Sequence, residues 1–425
     1  MTPPRTDRRR FLAAGGALLL PAAPRLAFAR SAPRIVVVGG GFAGTIAARY
    51  VLRWLPGAEV TLVEPNAQWV SCPLSNRIFG PKLSLRELTR GYEGLAAAGI
   101  RVVADEARSV NPSRREVALA RAKAVLPYDR LVVAPGVDFD MSGVEGLEAA
   151  IARGSVVHAW KAGPQTALLK KQVDALRPGG VIAMHVPKVP YRCPPGPYER
   201  ASMLAFYLKS RNPKAKVLLF DANPDIQSKR DLFLAAWKAR YEGMIEYVPN
   251  ADLKAVDAAR GELSFEMQGK VAADVMNVIP PQRAGAFARE AGLADAGGRW
   301  CGVDFLTYES KAVPGVHVLG DSVAAAPGMP KSGHMANQQA KVCAGAIASI
   351  LGNQPLNDEP IIANTCYSFV DDKQVIHVAS VHHYDREKRT MLPAKGAGGL
   401  SEAPSQQEAM YAFAWGFNLM EEMFA

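Results

Sequence analysis

Residues 34–64 constrain the fold of this chain more than any other stretch. Residues 34–38 (RIVVV) have the continuous apolar pattern of a buried strand, and 45–54 continue with the pattern of a helix. A proline-glycine turn follows, and residues 59–63 predict a second strand. A strand, a helix and a strand in this order predict a right-handed crossover unit and therefore a parallel sheet.

The turn between the first strand and the helix carries a G-x-G-x-x-G motif formed by Gly39, Gly41 and Gly44. The first glycine permits a tight turn, the second lets a pyrophosphate approach the backbone, and the third lets the helix pack closely on the strand. Glu64 ends the second strand, where a carboxylate can bind ribose hydroxyls. The segment therefore predicts a dinucleotide site, with a glycine-rich turn of another α/β protein as the alternative.

Two later segments favour FAD over NAD as the dinucleotide. Residues 128–136 predict a strand that ends in a turn at Gly136, and residues 315–321 predict a strand that ends in Gly320 and Asp321. Both resemble elements of flavoproteins with two dinucleotide domains, in which the aspartate of the Gly-Asp pair holds the flavin ribityl chain. Taken singly, each is also compatible with an ordinary buried strand and turn.

The order of these segments predicts an α/β protein with two Rossmann-like domains, as in glutathione reductase, and a C-terminal α+β interface domain. The FAD-binding domain is expected to comprise 30–150 and 275–352, with a second Rossmann-like domain inserted at 151–274. The interface domain is expected at 353–425, with a signal peptide at 1–29.

The second Rossmann-like domain lacks a nicotinamide fingerprint. Residues 179–184 and 217–221 predict parallel strands, but 185–190 (HVPKVP) occupy the place of a second glycine motif. Prolines in that stretch are incompatible with a helix that starts directly after the strand. Electrons are therefore expected from a donor other than NAD(P)H.

The N-terminus predicts export. Three arginines at 8–10 precede Phe-Leu and an apolar run, and residues 27–29 (AFA) form a cleavage site with small residues. The paired arginines resemble a twin-arginine signal, which predicts a periplasmic protein. A membrane anchor is the alternative, but the apolar run is shorter than the roughly 20 residues that a span requires.

The net charge and the cysteine spacing restrict which partners the chain can have. The formal charge of +10 is dispersed without a long basic block, which argues against nucleic acid as a partner. No later segment is apolar enough to predict a membrane span. No C-x-x-C-H sequence is present for haem attachment, so any haem is expected on a partner subunit only. The five cysteines are Cys72, Cys193, Cys301, Cys343 and Cys366.

Four segments together resemble the flavoprotein subunit of flavocytochrome c sulfide dehydrogenase, also called the Sox-pathway flavoprotein. They are residues 69–76 (WVSCPLSN), 190–200 (PYRCPPGPYER), 363–368 (ANTCYS) and, more weakly, 330–337 (PKSGHMAN). The resemblance covers nearly the whole chain after the signal, and the segment 190–200 is its most specific part.

The resemblance implies a redox-active disulfide between Cys193 and Cys366 beside FAD, although a purely structural bridge is the alternative. It also implies a covalent bond from Cys72 to the flavin, with a buried free cysteine as the alternative. Glu199 matches a glutamate near the disulfide and would exchange protons with sulfide, unless it forms a surface salt bridge with its neighbour Arg200. Lys331 would place positive charge near the flavin, unless it is solvated.

The implied activity is oxidation of sulfide through the disulfide and FAD, with electrons passing to a c-type cytochrome subunit. A sulfide:quinone oxidoreductase is the nearest alternative, and it would need a lipid-facing amphipathic patch. A non-catalytic flavin-binding redox scaffold would need FAD but not the cysteine pair. An NAD(P)H-dependent disulfide reductase is disfavoured by the missing second fingerprint. Cys343 is expected to be a packing residue, and Cys301 has no assigned role.

Overall fold

Parallel sheets flanked by helices form the protein, whose computed structural model describes residues 31–81 and 83–425. The signal peptide expected at 1–29 lies outside these residues. The helices are Phe42–Trp54 (α1), Glu93–Ala97 (α2), Leu147–Ala152 (α3), Pro164–Asp174 (α4), Gly196–Arg211 (α5), Arg230–Tyr241 (α6), Ala286–Glu290 (α7), Gly333–Leu351 (α8) and Gln406–Phe424 (α9). Short 3₁₀ turns are Ser75–Phe79, Ala296–Gly298 and Gly320–Ser322.

The strands fall into parallel sheets, small antiparallel hairpins and a C-terminal meander. Up to residue 157 they are Arg34–Val38 (β1), Glu59–Val63 (β2), Trp69–Val70 (β3), Thr89–Arg90 (β4), Arg101–Val103 (β5), Ala107–Asn111 (β6), Glu116–Leu119 (β7), Val125–Pro127 (β8), Arg130–Val133 (β9), Val137–Phe139 (β10) and Val156–Val157 (β11). The later strands are Val181–Val186 (β12), Lys216–Asp221 (β13), Ile245–Val248 (β14), Leu253–Asp257 (β15), Glu262–Phe265 (β16), Gly269–Ala272 (β17), Val275–Val278 (β18), Gln282–Ala284 (β19), Ala294–Asp295 (β20), Trp300–Cys301 (β21), Val316–Val318 (β22), Ile361–Phe369 (β23), Val375–Asp385 (β24) and Thr390–Leu400 (β25).

The first parallel sheet has the strand order β22-β9-β1-β2-β5. Its strands β1 and β2 have the bounds that the sequence predicted, and α1 begins at Phe42, directly after the glycine turn. Strand β22 pairs in parallel with β9, so two segments far apart in the chain share this sheet. Strand β1 is buried after its first residue, with α1 and the antiparallel strand β8 packed against it, which explains its unbroken run of branched apolar residues.

The second parallel sheet has the strand order β11-β18-β12-β13-β14. The predicted strands near 179–184 and 217–221 are confirmed as β12 and β13, which pair in parallel. One predicted boundary needs correction: β18 lies beyond residue 274 but pairs with β11 and β12. The second sheet therefore extends past the predicted domain boundary and includes residues 275–278.

The C-terminal region is α+β, as predicted. Strands β23, β24 and β25 form an antiparallel sheet, and α9 packs against it and against the first domain. Near the end of α9, Phe424 packs on Trp69, with ring centroids 5.2 Å apart. Met410 and Tyr411, in the first half of the same helix, are exposed. Within residues 31–81 and 83–425, helices long and apolar enough to cross a membrane are absent.

Candidate active site

The glycine turn after β1 has the shape that a dinucleotide phosphate needs. Gly39 has a φ of +101°, and a Cβ there would lie 2.4 Å from the carbonyl oxygen of Ala134. A Cβ on Gly44 would lie 1.7 Å from the carbonyl oxygen of Gly39, so α1 can approach the turn only with glycine at this position. Around Gly41 the nearest atom to an added Cβ is 4.0 Å away, on Trp69. The open side of the turn faces the N-terminus of α1, which favours an anion.

Glu64 lies at the end of β2, beside this turn. Its carboxylate accepts hydrogen bonds from the backbone N–H of Gly40 at 2.8 Å and of Asn66 at 3.0 Å, and the side chain remains half-buried. The carboxylate is thus fixed at the sheet edge where a dinucleotide ribose would lie.

Asp321 lies in the 3₁₀ turn that follows β22, directly after Gly320, whose φ is +73°. Its Oδ1 atom is buried and has no hydrogen-bond partner. Burial raises the pKa of this carboxyl, and the positive charges of Arg192 and Lys331 oppose that rise. A buried carboxylate oxygen without a donor is rare, and a hydroxyl group of a bound ligand would satisfy it. The residues therefore fit the ribityl chain of FAD. Gly136, between β9 and β10, has a φ of +72°, and its carbonyl oxygen accepts a hydrogen bond from Ser322 in the turn of Asp321.

Lys331 connects this turn to the segment that carries Cys193. Its ammonium donates to the carbonyl oxygen of Asp321 at 2.9 Å and lies 3.6 Å from the ring centroid of Trp300. Its own carbonyl oxygen accepts a hydrogen bond from the backbone N–H of Cys193 at 2.7 Å. The side chain is only 6 % exposed, so the alternative of a solvated lysine is wrong. Burial lowers its pKa to about 8.

Cys193 occupies the proline-rich segment between β12 and α5, which is non-helical as the prolines predicted. Its φ of +58° is a left-handed conformation that costs free energy in a residue other than glycine. The bond to Lys331 and a 2.9 Å hydrogen bond from the N–H of Gly196 to its carbonyl oxygen hold this conformation. The residue has exposed surface, although many protein atoms surround it. Burial raises its pKa, and the charge of Cys366 adds to the rise.

Cys366 lies in β23 and is buried. The amide of Asn364 is 3.8 Å from its Sγ atom, and burial raises the pKa of the thiol. The segments of the two cysteines are joined through residues 331 and 332, because the N–H of Cys193 donates to Lys331 and the hydroxyl of Ser332 donates to Asn364, two residues before Cys366. All five cysteines in the structure are free thiols, so the predicted disulfide is not formed there and stays a prediction.

Cys72 belongs to the same site. Its Sγ atom lies 3.5 Å from Nη2 of Arg192, the residue directly before Cys193, and its charge contributes to the raised pKa of Cys193. The segment around Cys72 leads from β3 into the 3₁₀ turn Ser75–Phe79, which contacts α5. A covalent bond from Cys72 to a flavin remains a prediction.

Glu199 lies in the first turn of α5 and is only 8 % exposed. Its carboxylate accepts hydrogen bonds from Nδ2 of Asn76 at 2.9 Å and from the backbone N–H of Phe369 at 3.0 Å. Burial raises its pKa, and these hydrogen bonds limit the rise. Arg200 points elsewhere and donates to the carbonyl oxygens of His158 and Ala159. The alternative of a surface salt bridge between Glu199 and Arg200 is therefore wrong.

Comparisons with known proteins identify this arrangement. Residues 166–280 match the family described as sulfide dehydrogenase [flavocytochrome c] flavoprotein chain, central, and residues 358–424 match flavocytochrome c sulphide dehydrogenase, flavin-binding. A sulfide dehydrogenase [flavocytochrome c] flavoprotein chain of Chlorobaculum thiosulfatiphilum is 51% identical over 45 residues, which are 11% of this chain and 94% of that sequence. The chain belongs to this flavoprotein family.

Solved structures show that the family member shares its fold with two-domain flavoproteins. The sulfide:quinone oxidoreductase of Aquifex aeolicus is 19% identical, with a TM-score of 0.74 over 92% of this chain and 91% of that one. An NAD-dependent persulfide reductase from A. fulgidus is 18% identical, with a TM-score of 0.62 over 90% and 77%. A ferredoxin reductase of Rhodopseudomonas palustris is 13% identical, with a TM-score of 0.62 over 83% and 87%. The predicted fold class is confirmed.

Two buried cations of this flavoprotein escaped the sequence analysis. Arg77 is 1 % exposed, and its guanidinium lies 4.4 Å from the ring centroid of Phe369. Lys229 is 4 % exposed, and its ammonium contacts the strand that carries Cys366. Arg77 directly follows the segment 69–76, which resembles the family, so its place in the sequence could have drawn attention to it. Lys229 directly precedes α6, and the residues around it carry no sequence pattern that indicates a functional site.

The remaining cysteines lie in the core of the first domain. Cys343 is fully buried on α8, which confirms its predicted packing role, and Cys301 is fully buried in β21. Burial raises the pKa of Cys301 to about 12, which keeps it a neutral thiol at physiological pH. Within residues 31–81 and 83–425, groups of three or more potential metal ligands are absent.

Proposed function

We propose that this flavoprotein is an FAD-dependent sulfide dehydrogenase that oxidises sulfide at a Cys193–Cys366 disulfide and delivers electrons to a c-type cytochrome subunit. The single observation that carries the proposal is the convergence of three distant segments. The N–H of Cys193 donates to the carbonyl oxygen of Lys331, and the ammonium of Lys331 donates to Asp321. The neighbouring Ser332 donates to Asn364 on the strand of Cys366. A purely structural bridge would not require the neighbouring cofactor turn.

The residues that would hold FAD are those of the first domain. The glycine turn would receive the pyrophosphate, Glu64 the ribose, and Asp321 the ribityl chain, with Gly136 and Gly320 permitting close approach of the backbone. Lys331 would add positive charge beside the ring, and Cys72 would form a thioether that retains the cofactor. When bound, FAD would accept an electron pair from the cysteines and release the electrons singly to a haem acceptor.

The cysteine pair would carry the sulfur chemistry. Hydrosulfide attacks one sulfur of the disulfide, the bond between the two cysteine sulfurs breaks, and a new sulfur–sulfur bond forms. The products are a persulfide on one cysteine and a thiolate on the other, so two electrons of sulfide now reside on the protein. The reaction favours a site in which positive charge stabilises the leaving thiolate.

Glu199 would accept a proton from hydrogen sulfide. Its buried carboxylate has a pKa raised by burial and is held by Asn76 and Phe369, and a raised pKa makes it a stronger base toward hydrogen sulfide. Removal of that proton produces the hydrosulfide nucleophile inside the site. Two hydrogen bonds fix the position of the carboxylate.

The cytochrome partner and the export are part of the same proposal. The haem would belong to the partner subunit only, since this chain has no C-x-x-C-H sequence. The twin-arginine signal would carry the folded flavoprotein to the periplasm, where a disulfide is stable. The C-terminal domain would supply an interface for the partner.

A sulfide:quinone oxidoreductase is the second candidate, favoured by the TM-score of 0.74 to the Aquifex aeolicus structure. Its electrons would go to a membrane quinone, which requires a lipid-facing apolar patch. Helix α9 exposes Met410 and Tyr411, but Glu421 near its other end is also exposed. Mixing the purified protein with liposomes separates the candidates, because only the quinone enzyme should partition to the membrane.

Anaerobic titration of the purified protein with sulfide tests the proposal. Sulfide should bleach the flavin absorbance, and added cytochrome c should restore it faster than a soluble quinone. NADPH should leave the flavin oxidised. A Cys193→Ser variant should bind FAD normally and resist bleaching. Full activity in that variant would favour a non-catalytic flavin scaffold, and bleaching by NADPH would favour a disulfide reductase.

A further inference from the structure

A buried lysine that the proposed reaction does not use lies against the strand of Cys366. Lys229 directly precedes α6 and has a left-handed φ of +58°. Its ammonium donates to the carbonyl oxygen of Cys366 at 3.1 Å, to Oγ of Ser368 at 2.8 Å and to the carbonyl oxygen of Ile376 at 3.3 Å. These bonds use all three donors of the ammonium and fix it between β23 and β24.

The three acceptors are all neutral, which leaves the charge of Lys229 without a direct counter-ion among them. A buried ammonium that faces only neutral oxygens loses much of its hydration energy. Burial accordingly lowers its pKa to about 8, and the group that opposes this most is Cys366, ahead of Glu199, Cys193 and Glu408. Because Lys229 already contacts the backbone of Cys366 at 3.1 Å, a thiolate at Cys366 would compensate its charge.

Most of the polar groups around Cys366 would stabilise a negative charge on its sulfur. Lys229 approaches from the side of α6, Asn364 lies on the same strand, and Ser332 caps α8 and donates to Oδ1 of Asn364 at 2.6 Å. All three favour the anionic sulfur, while Glu199 on α5 opposes it. At Cys193 the balance differs, because Cys366, Glu199 and Cys72 all oppose its ionisation and Lys229 alone favours it. The two sulfurs of the pair are thus electrostatically unequal.

We propose that Lys229 is a positioning residue that holds the strand of Cys366 and stabilises the sulfur of Cys366 as a thiolate once the disulfide is open. The inference rests on the proposed function for the disulfide itself. Opening the sulfur–sulfur bond leaves an electron pair on a cysteine sulfur, and the fixed ammonium of Lys229 makes Cys366 the better place for it. The ammonium compensates the new charge and needs no proton transfer.

The test is the pH dependence of thiol alkylation in the reduced holoprotein. Iodoacetamide reacts with the thiolate, and mass spectrometry of the peptides gives a separate midpoint for Cys366 and for Cys193. In Lys229→Gln the midpoint of Cys366 should rise by about one to three pH units, because the buried cation that contacts the backbone of Cys366 is lost. Each unit is a tenfold slower alkylation below the midpoint. Lys229→Arg retains the charge and should stay near the wild type.

Lys238→Gln, on the exposed face of the same helix, is the matched control and should leave both midpoints unchanged. The wild-type protein supplies a test that no folding defect can obscure, since Cys366 should ionise at lower pH than Cys193. Equal midpoints, or a lower midpoint for Cys193, would overturn the inference, as would an unchanged midpoint in folded Lys229→Gln. The measurement uses no sulfide, so a protein that fails to oxidise sulfide could still pass it, and the two proposals can fail separately.

Discussion

The two parallel sheets share the arrangement of four of their five strands but differ in the chemistry of the segment that follows the central strand. In each, a central strand, β1 or β12, pairs with its successor on one side and with a later strand on the other. After β1 the chain turns through glycines directly into α1, whereas after β12 a proline-rich segment at 187–195 precedes α5. The first connection leaves an open anion site, and the second presents Cys193.

The acids that follow the second strand of each unit differ in the same way. Glu64, after β2, is half-buried and remains available at the edge of the first sheet. Asp221, at the end of β13, is fully buried and accepts hydrogen bonds from the hydroxyls of Tyr198 at 2.7 Å and Tyr247 at 3.2 Å. The protein's own side chains thus satisfy the carboxylate that follows this strand. A shared topology therefore fixes where a site can form, and the connecting segment decides what it binds.

The largest effect is expected when Cys193, in the proline-rich segment after β12, is replaced. Cys193→Ser should slow flavin bleaching by sulfide at least about a thousandfold, because loss of a covalent nucleophile or leaving group removes the reaction path. Stopped-flow absorbance under anaerobic conditions measures the rate. Cys343→Ala, in the core of the first domain, should leave the rate close to the wild type. Rapid bleaching in Cys193→Ser would remove the functional contrast between the two sheets.

The first connection should be intolerant of a single methyl group. Gly44→Ala would place a Cβ 1.7 Å from a backbone oxygen, so the turn must distort and FAD should be lost. Flavin absorbance per polypeptide measures the loss. Gly345→Ala on α8 is the matched control, since its Cβ would meet nothing closer than 3.5 Å. A full complement of FAD in Gly44→Ala would show that the cofactor lies elsewhere.

Glu199 should make the rate of flavin reduction by sulfide depend on pH. Glu199→Gln should lower the rate of flavin reduction about a hundredfold, the usual size of general base catalysis. In the wild type the rate should fall as the pH falls through the raised pKa of Glu199, since protonation removes the base. The variant should lack this acid limb. An acid limb of the same position in Glu199→Gln would assign it to another group.

Asp321 should contribute to cofactor affinity in the first domain. Its unpartnered Oδ1 would accept a hydroxyl of the cofactor, and a hydrogen bond to a charged group contributes about 1.5–3 kcal/mol. Asp321→Asn should therefore weaken FAD about tenfold to a hundredfold. Equilibrium binding in a Cys72→Ser background measures this without interference from a covalent bond. Asp358→Asn, at an exposed position, should leave the affinity unchanged.

The smallest effect is expected for the hydrogen bond between Tyr198 and Asp221 in the second domain. Tyr198→Phe removes the 2.7 Å hydrogen bond to Asp221 and should lower the free energy of unfolding by about 1–2 kcal/mol. Urea denaturation measures the change. Burial raises the pKa of Asp221, so its contribution to stability is present at low pH and is lost as the pH rises through that raised value. Reduction of the variant's flavin by NADPH would reveal a latent nicotinamide site.

The sequence predicted the first sheet well because its signals are local. The bounds of β1 and β2 follow from runs of branched apolar residues between turns, and the glycine spacing marks the connection. The boundary at 274 was wrong because β18 is a short apolar strand that either parallel sheet could accept. Only its pairing with β12 assigns it.

The site was predictable only in part. Cys193, Cys366 and Glu199 were found through resemblance, while the burial of Glu199 and Lys331 needed the structure. Lys229 could not be found, because its contact with Cys366 joins residues far apart in the chain and across two domains. Local pattern carries no information about such a contact. The unfilled hydrogen-bonding capacity of Asp321 likewise appears only after folding.

Disulfide mapping of the air-oxidised protein tests the central claim most directly. The protein is alkylated without reductant, digested, and its peptides are compared before and after anaerobic treatment with sulfide. The account predicts one peptide that joins Cys193 to Cys366 and disappears when sulfide is added, while Cys301 and Cys343 remain thiols throughout. Separate alkylated peptides of Cys193 and Cys366 in the untreated protein would contradict it.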